Sequence, residues 1–92
     1  MAMAFIMQFE GATLAQYDEV IEAMGLTDGV GPEGSLFHWV TKTPTGIQVT
    51  DVWEDPAAFE RFAAEEIGPK TAEAGIAPPQ VTSHEVHNVI KR

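Results

Sequence analysis

An α+β sandwich, with one four-stranded antiparallel sheet and both helices on one of its faces, is what the 92-residue sequence predicts. Three observations predict it. Four short runs carry strand-like alternation, two longer stretches carry helix-like spacing with recognisable caps, and the order is strand–helix–strand–strand–helix–strand. A chain of this length forms one domain, residues 1–92, and buries only about 60–65% of the surface its unfolded form exposes, so its core is thin.

The first strand is read at Met3–Phe9, where Phe5, Met7 and Phe9 alternate with Ala4, Ile6 and Gln8. Both sets begin apolar, which predicts burial on two faces. Thr13 then opens a helix, and Gln16 completes a Thr-x-x-Gln capping box. Leu14, Tyr17, Val20, Ile21 and Met24 share one side, and Gly25 ends the helix.

The stretch TDGVGPEGS is loop. LFHWVTK and GIQVTDVW flank TPTG, which predicts a hairpin closed by a type I turn and a glycine bulge, with Thr43 opposite Ile47. That register sets Trp39 near Asp51, Phe37 near Trp53 and His38 near Val52. Asp55 and Pro56 start the second helix, whose stripe is Phe59, Phe62, Ala63 and Ile67. Gly68-Pro69 is expected to break it, with KTAEAG as a short extra turn. QVTSHEVHNVI is the last strand.

Two strand–helix–strand halves of this kind fold as a ferredoxin-like βαββαβ sandwich, with the first and third strands central. The sheet face away from the helices still carries large apolar groups. A second copy of the chain covers it in the simplest arrangement, so a homodimer through the open sheet face is expected.

Charge and composition narrow the function. The net charge is −9, which repels nucleic acid and anionic membranes. No apolar run is long enough to span a bilayer, and the N-terminus lacks the basic start of a secretion signal. Cysteine is absent, which removes thiolate chemistry and fits a cytoplasmic location. GVGPEG lacks the spacing of a dinucleotide fingerprint, and no cofactor motif appears.

The stretch SHEVHNVI places His84 and His87 three residues apart. On a strand such residues point to opposite faces, so they do not chelate one ion together, and no metal is expected. In a dimer, His38 on one edge could approach His84 or His87 of a second copy. Ser83 has no nucleophile elbow around it, so no hydrolase triad is read there. Asp51, His38 and His84 are therefore the candidates for proton transfer. In the expected register Phe37, Trp39, Val49, Asp51 and Trp53 share one face. A carboxylate among aromatic rings is costly unless paired, and such a setting suits a general base; reaching water or bonding a tryptophan N–H is the plainer outcome. Tyr17, Phe37, Trp39, Trp53 and His87 are the candidate ligand contacts, although packing in the core or at a dimer interface is the plainer reading of Tyr17, Trp39 and Trp53.

The phrases VTDVWEDPAAFERF and VHNVI, together with the element order, resemble the dimeric α+β barrel superfamily, and within it the small antibiotic-biosynthesis-monooxygenase-like proteins. The resemblance implies a small-molecule-binding homodimer. It also implies cofactor-independent oxygenation of a hydrophobic aromatic or polyketide-like substrate, with isomerase- or cyclase-like chemistry also within the superfamily. The alternative is a non-catalytic ligand-binding or structural dimer with the same cavity. Catalytic residues are not implied position by position.

Overall fold

Local sequence chemistry sets each element, and the computed structural model describes all residues, 1–92. β1 (Met3–Glu10) leads through Gly11 into α1 (Leu14–Met24). The Thr13 hydroxyl accepts from Gln16 N–H at 3.1 Å, the Gln16 side chain accepts from Thr13 N–H at 2.9 Å, and Gly25 closes the helix at φ 73°. β2 (Ser35–Thr43) and β3 (Gly46–Trp53) form the hairpin. Asp55 caps α2 (Pro56–Phe62), its carboxylate accepting from Ala58 N–H at 2.9 Å.

The expected break at Gly68-Pro69 does not occur. A π turn (Ala63–Ile67) joins α2 directly to α3 (Gly68–Glu73). Gly68 N–H reaches back five residues to Ala63 O. This wider turn accommodates Pro69, which has no N–H to offer and whose ring would crowd the preceding turn of a regular helix. The Thr71 hydroxyl donates to Ile67 O at 2.6 Å.

β4 (Gln80–Glu85) completes an antiparallel sheet of order β2-β3-β1-β4, the ferredoxin-like α+β arrangement. The last strand is shorter than the reading to Ile90. Met3 at the start of β1 pairs with Glu85, and after Val86 N–H bonds Ala2 O the chain has no partner strand left. His87 lies beyond the strand.

Alternation sorts the sheet. Phe5, Met7 and Phe9 of β1 and Ile47, Val49 and Trp53 of β3 face the helices and are buried. Phe5 stacks on Phe59 at 3.8 Å between ring centres, while Trp53 meets Phe59 edge-on and lies 5.3 Å from Phe62. Ile6 and Val52 occupy positions on the opposite face.

The hairpin register differs by one residue from the expectation. Thr43 pairs with Gly46, leaving only Pro44 and Thr45 in the turn, and Gly46 keeps an ordinary φ, so there is no glycine bulge. Gly46 is needed for space instead. A Cβ there would collide with Phe9 O, where β1 crosses close to the hairpin. The one-residue slip exchanges the faces of β2. Trp39 pairs with Thr50 and sits on the outer face, 50% exposed, while His38 pairs with Asp51 on the helix side.

Gly46→Ala should therefore destabilise the protein by roughly 1–3 kcal/mol, the range of core overpacking. Urea unfolding measures this, and an unchanged midpoint would mean that β1 and the hairpin have room to separate.

Candidate functional site

The helix face of the sheet is not filled completely. Between it and the helices lies an apolar cavity of about 330 Å3. Met7 and Val49 form part of its floor, Val20 and Met24 of α1 its roof, and Val30 and Pro32 of the α1–β2 loop one side. Thr71, just after the π turn, also lines it. A volume of this order suits a small organic ligand.

Three polar side chains converge on its wall. The register brings His38 opposite Asp51, and His38 Nδ1 lies 2.5 Å from Asp51 Oδ1. Reaching over from α1, the Tyr17 hydroxyl lies 2.5 Å from His38 Nε2, with the two rings nearly parallel at 9°. The second oxygen of Asp51 accepts from Trp53 Nε1–H at 3.2 Å. Asp51 is 4% exposed and Trp53 1%, whereas Tyr17 and His38 reach toward solvent.

The proton positions follow from this network. A carboxylate only accepts, so Nδ1 carries hydrogen; in the neutral form of the ring Nε2 accepts and Tyr17 donates. Asp51 orients the imidazole and would stabilise its charged form, the logic of a nucleophile–base–carboxylate triad with a phenol at its outer end. Burial, followed by the charges of Asp51 and Asp18, holds the Tyr17 hydroxyl above its ordinary pKa of 10.0. Tyr17 is therefore a proton donor at neutral pH and not a phenolate base.

The remaining sequence candidates are spread out. Trp53 lines the cavity with its N–H committed to Asp51. Phe37 borders the cavity after a bulge at Leu36, and its ring lies beneath Lys91 Nζ at 5.2 Å. His84 pairs with Ala4 on the outer side of β4, and His87 follows the strand; both are exposed and neither meets the cavity within the chain. The expected face shared by Trp39 and Asp51 does not exist, because the turn is one residue shorter at that register. Sequence reasoning missed the Tyr17–His38 contact. The signal for it was a hydroxyl in the middle of an apolar helical stripe, which must find a partner across the core.

Comparison with solved structures places this architecture. A Nitrosomonas europaea protein of unknown function superposes with a TM-score of 0.73 at 19% identity, over 99% of this chain and 94% of its own. SnoaB, a cofactor-independent oxygenase from Streptomyces nogalater, gives 0.66 at 18% identity, over 99% and 98%. The ActVA-Orf6 monooxygenase of Streptomyces coelicolor, solved with nanaomycin D, gives 0.61 at 18%, over 99% and 91%. The fold is that of the antibiotic-biosynthesis-monooxygenase-like proteins. No family model and no curated protein sequence matches the chain. At these identities the likeness fixes the backbone plan, and the chemistry has to be argued from the cavity.

Tyr17 is the single tyrosine, so tyrosinate absorbance reports it alone. Its titration midpoint should lie above 10, and Asp51→Asn should lower it by removing one of the charges that raise it. Because the folded protein prefers the neutral phenol, this contribution to stability is complete below pH 10 and is lost as pH rises through the elevated pKa. A midpoint at or below 10 would place the phenol in water.

Proposed function

We propose that the protein is a cofactor-independent monooxygenase-like enzyme that removes a proton from a hydrophobic, fused-ring phenol and lets the resulting anion react with dioxygen. The observation that carries this reading is the Tyr17–His38–Asp51 chain on the wall of an otherwise apolar cavity. Support from the fold is coarser: oxygenases of this kind are among the structures that share it.

In this mechanism the apolar walls hold the substrate ring and keep bulk water away. The substrate hydroxyl approaches Tyr17 and His38. Its proton passes to Nε2, either directly or through Tyr17, and Asp51 stabilises the imidazolium. The electron-rich anion gives up electrons to dioxygen, and a carbon–oxygen bond forms at the ring. Loss of the ring hydrogen and cleavage of the oxygen–oxygen bond then leave a quinone carbonyl. The imidazolium returns its proton to the departing hydroxide. For a naphthol the sum is naphthol plus dioxygen giving naphthoquinone plus water, so one oxygen atom enters the product and the substrate supplies every electron.

The working unit in this reading is a homodimer. The second copy packs on the outer sheet face, where Ile6, Phe37 and Trp39 are placed by the register and Trp39 stands half exposed. His84 lies on that same face and would meet the second copy there, which is where a contribution to the site from His84 or His87 would have to come from.

Oxygen uptake with a naphthol tests the reaction. His38→Ala and Asp51→Asn should each lower the rate by about 10²- to 10⁴-fold, the range of a lost general base, while a naphthol still binds. Binding without uptake in the native protein would instead identify a carrier. Trp39→Lys should shift sedimentation from dimer to folded monomer; a native protein that is itself monomeric would remove the second copy from the account.

A further inference from the structure

We infer that Trp53 is the positioning residue of this site: its indole N–H holds one oxygen of Asp51, so that the other stays aimed at His38 Nδ1 and Nε2 is the nitrogen presented beside the cavity. The inference deepens the proton-transfer reading and rests on it for its consequence to turnover, but the geometry is testable on the resting protein.

An indole N–H donates and never accepts. Trp53 directs it at Asp51 Oδ2 at 3.2 Å, in a place too buried for water to compete. The indole itself is fixed, edge-on to Phe59 and against Phe62. One carboxylate oxygen is therefore held, and the other is aimed at His38 Nδ1 at 2.5 Å. With both acceptors placed, Nδ1 must carry the proton. In the neutral ring Nε2 is then bare, and it is Nε2 that meets Tyr17 beside the cavity. Trp53 touches neither His38 nor Tyr17 by hydrogen bond, yet it is the only donor besides His38 on this carboxylate.

An amide in place of the carboxylate exposes this control, because its two ends differ. In Asp51→Asn the donor-only indole selects the carbonyl end. The amide NH2 is then left facing Nδ1, which has to accept, so the proton moves to Nε2 and Tyr17 becomes the acceptor. The whole chain reverses polarity. Adding Trp53→Phe keeps an aromatic ring in the core but abolishes the selection, so the amide is free to turn either end toward His38.

Nitrogen NMR of the His38 ring reads the tautomer directly. The native protein should show hydrogen on Nδ1, Asp51→Asn should show it on Nε2, and Asp51→Asn with Trp53→Phe should show a mixture of the two. Identical tautomers in the single and double variants would overturn the inference, as would an Asp51→Asn protein that keeps hydrogen on Nδ1. A second measurement needs no core substitution at Trp53. The two indole N–H groups of the native protein should differ, with that of Trp53 exchanging with solvent far more slowly than that of half-exposed Trp39, and with only the Trp53 resonance moving in Asp51→Ala. Equal exchange rates, or an unmoved Trp53 resonance, would likewise overturn it. A protein with these tautomers and no oxygen uptake would discard the oxygenase reading and leave the role of Trp53 standing.

Discussion

Asp51 is a carboxylate held almost entirely out of water among aromatic and aliphatic side chains. Left alone there it would cost several kcal/mol, enough to matter against the whole stability of a small domain. The surroundings respond with a donor to each oxygen, Nδ1–H of His38 to one and the indole N–H of Trp53 to the other. Those two bonds constrain both strands of the hairpin. They require the inward side of the edge strand β2 to carry an imidazole at position 38, and they require β3 to end in a residue that is both large and a donor. They also commit His38 to a single tautomer, which leaves its far nitrogen as the acceptor that Tyr17 satisfies from α1.

That constraint in turn depends on one turn. Pro44 and Thr45 alone connect β2 to β3, and Gly46 passes so close to Phe9 O that no side chain fits. The close approach locks the hairpin onto β1, so its register cannot drift without moving the centre of the sheet. Because side chains alternate along a strand, a shift of one residue would send His38 outward and bring Trp39 in. The cavity would then be filled by an indole, and Asp51 would lose its partner. Stability at the turn and chemistry at the site are thus the same geometric fact, expressed at the two ends of β3.

Much of this was legible in the sequence. The element order, the Thr13–Gln16 capping box, the Asp55 cap and the antiparallel pairing all follow from local patterns, because capping and alternation are decided within a few residues. The failures share a different origin. Whether TPTG makes a two-residue turn or a bulged one depends on Phe9, a neighbour distant in the chain, and that contact leaves no mark in the hairpin's own residues. Gly68-Pro69 reads as a break because a regular α-helix would be crowded by it, whereas the π turn holds it, with Gly68 N–H bonded to Ala63 O and the Thr71 hydroxyl bonded to Ile67 O. At the candidate site, Asp51 and His38 both stand out in the sequence, but the expected register sets Asp51 beside Trp39 where the structure sets it beside His38. Tyr17 was identified by its stripe and not by its partner, since nothing along a chain says that a helix and an edge strand twenty-one residues apart will meet.

The elevated pKa of Tyr17 limits how the site works. A phenol that resists ionisation cannot wait as a phenolate to collect a proton from a substrate, and in its resting bond it already donates to the only free nitrogen of His38. In the proposed reaction a substrate proton would therefore reach Nε2 by one of two routes. Either Tyr17 swings away and exposes the nitrogen, or Tyr17 passes its own hydrogen inward while taking the substrate's, so that no phenolate is ever formed. The second route preserves the stacked rings and the closed wall, and it keeps the developing positive charge on His38 beside Asp51, the carboxylate already placed to receive it. It also explains why the outer member of the chain is a tyrosine. A serine would be too short to span from α1 to the edge strand, and a carboxylic acid would add a second negative charge next to a carboxylate that is already expensive to bury.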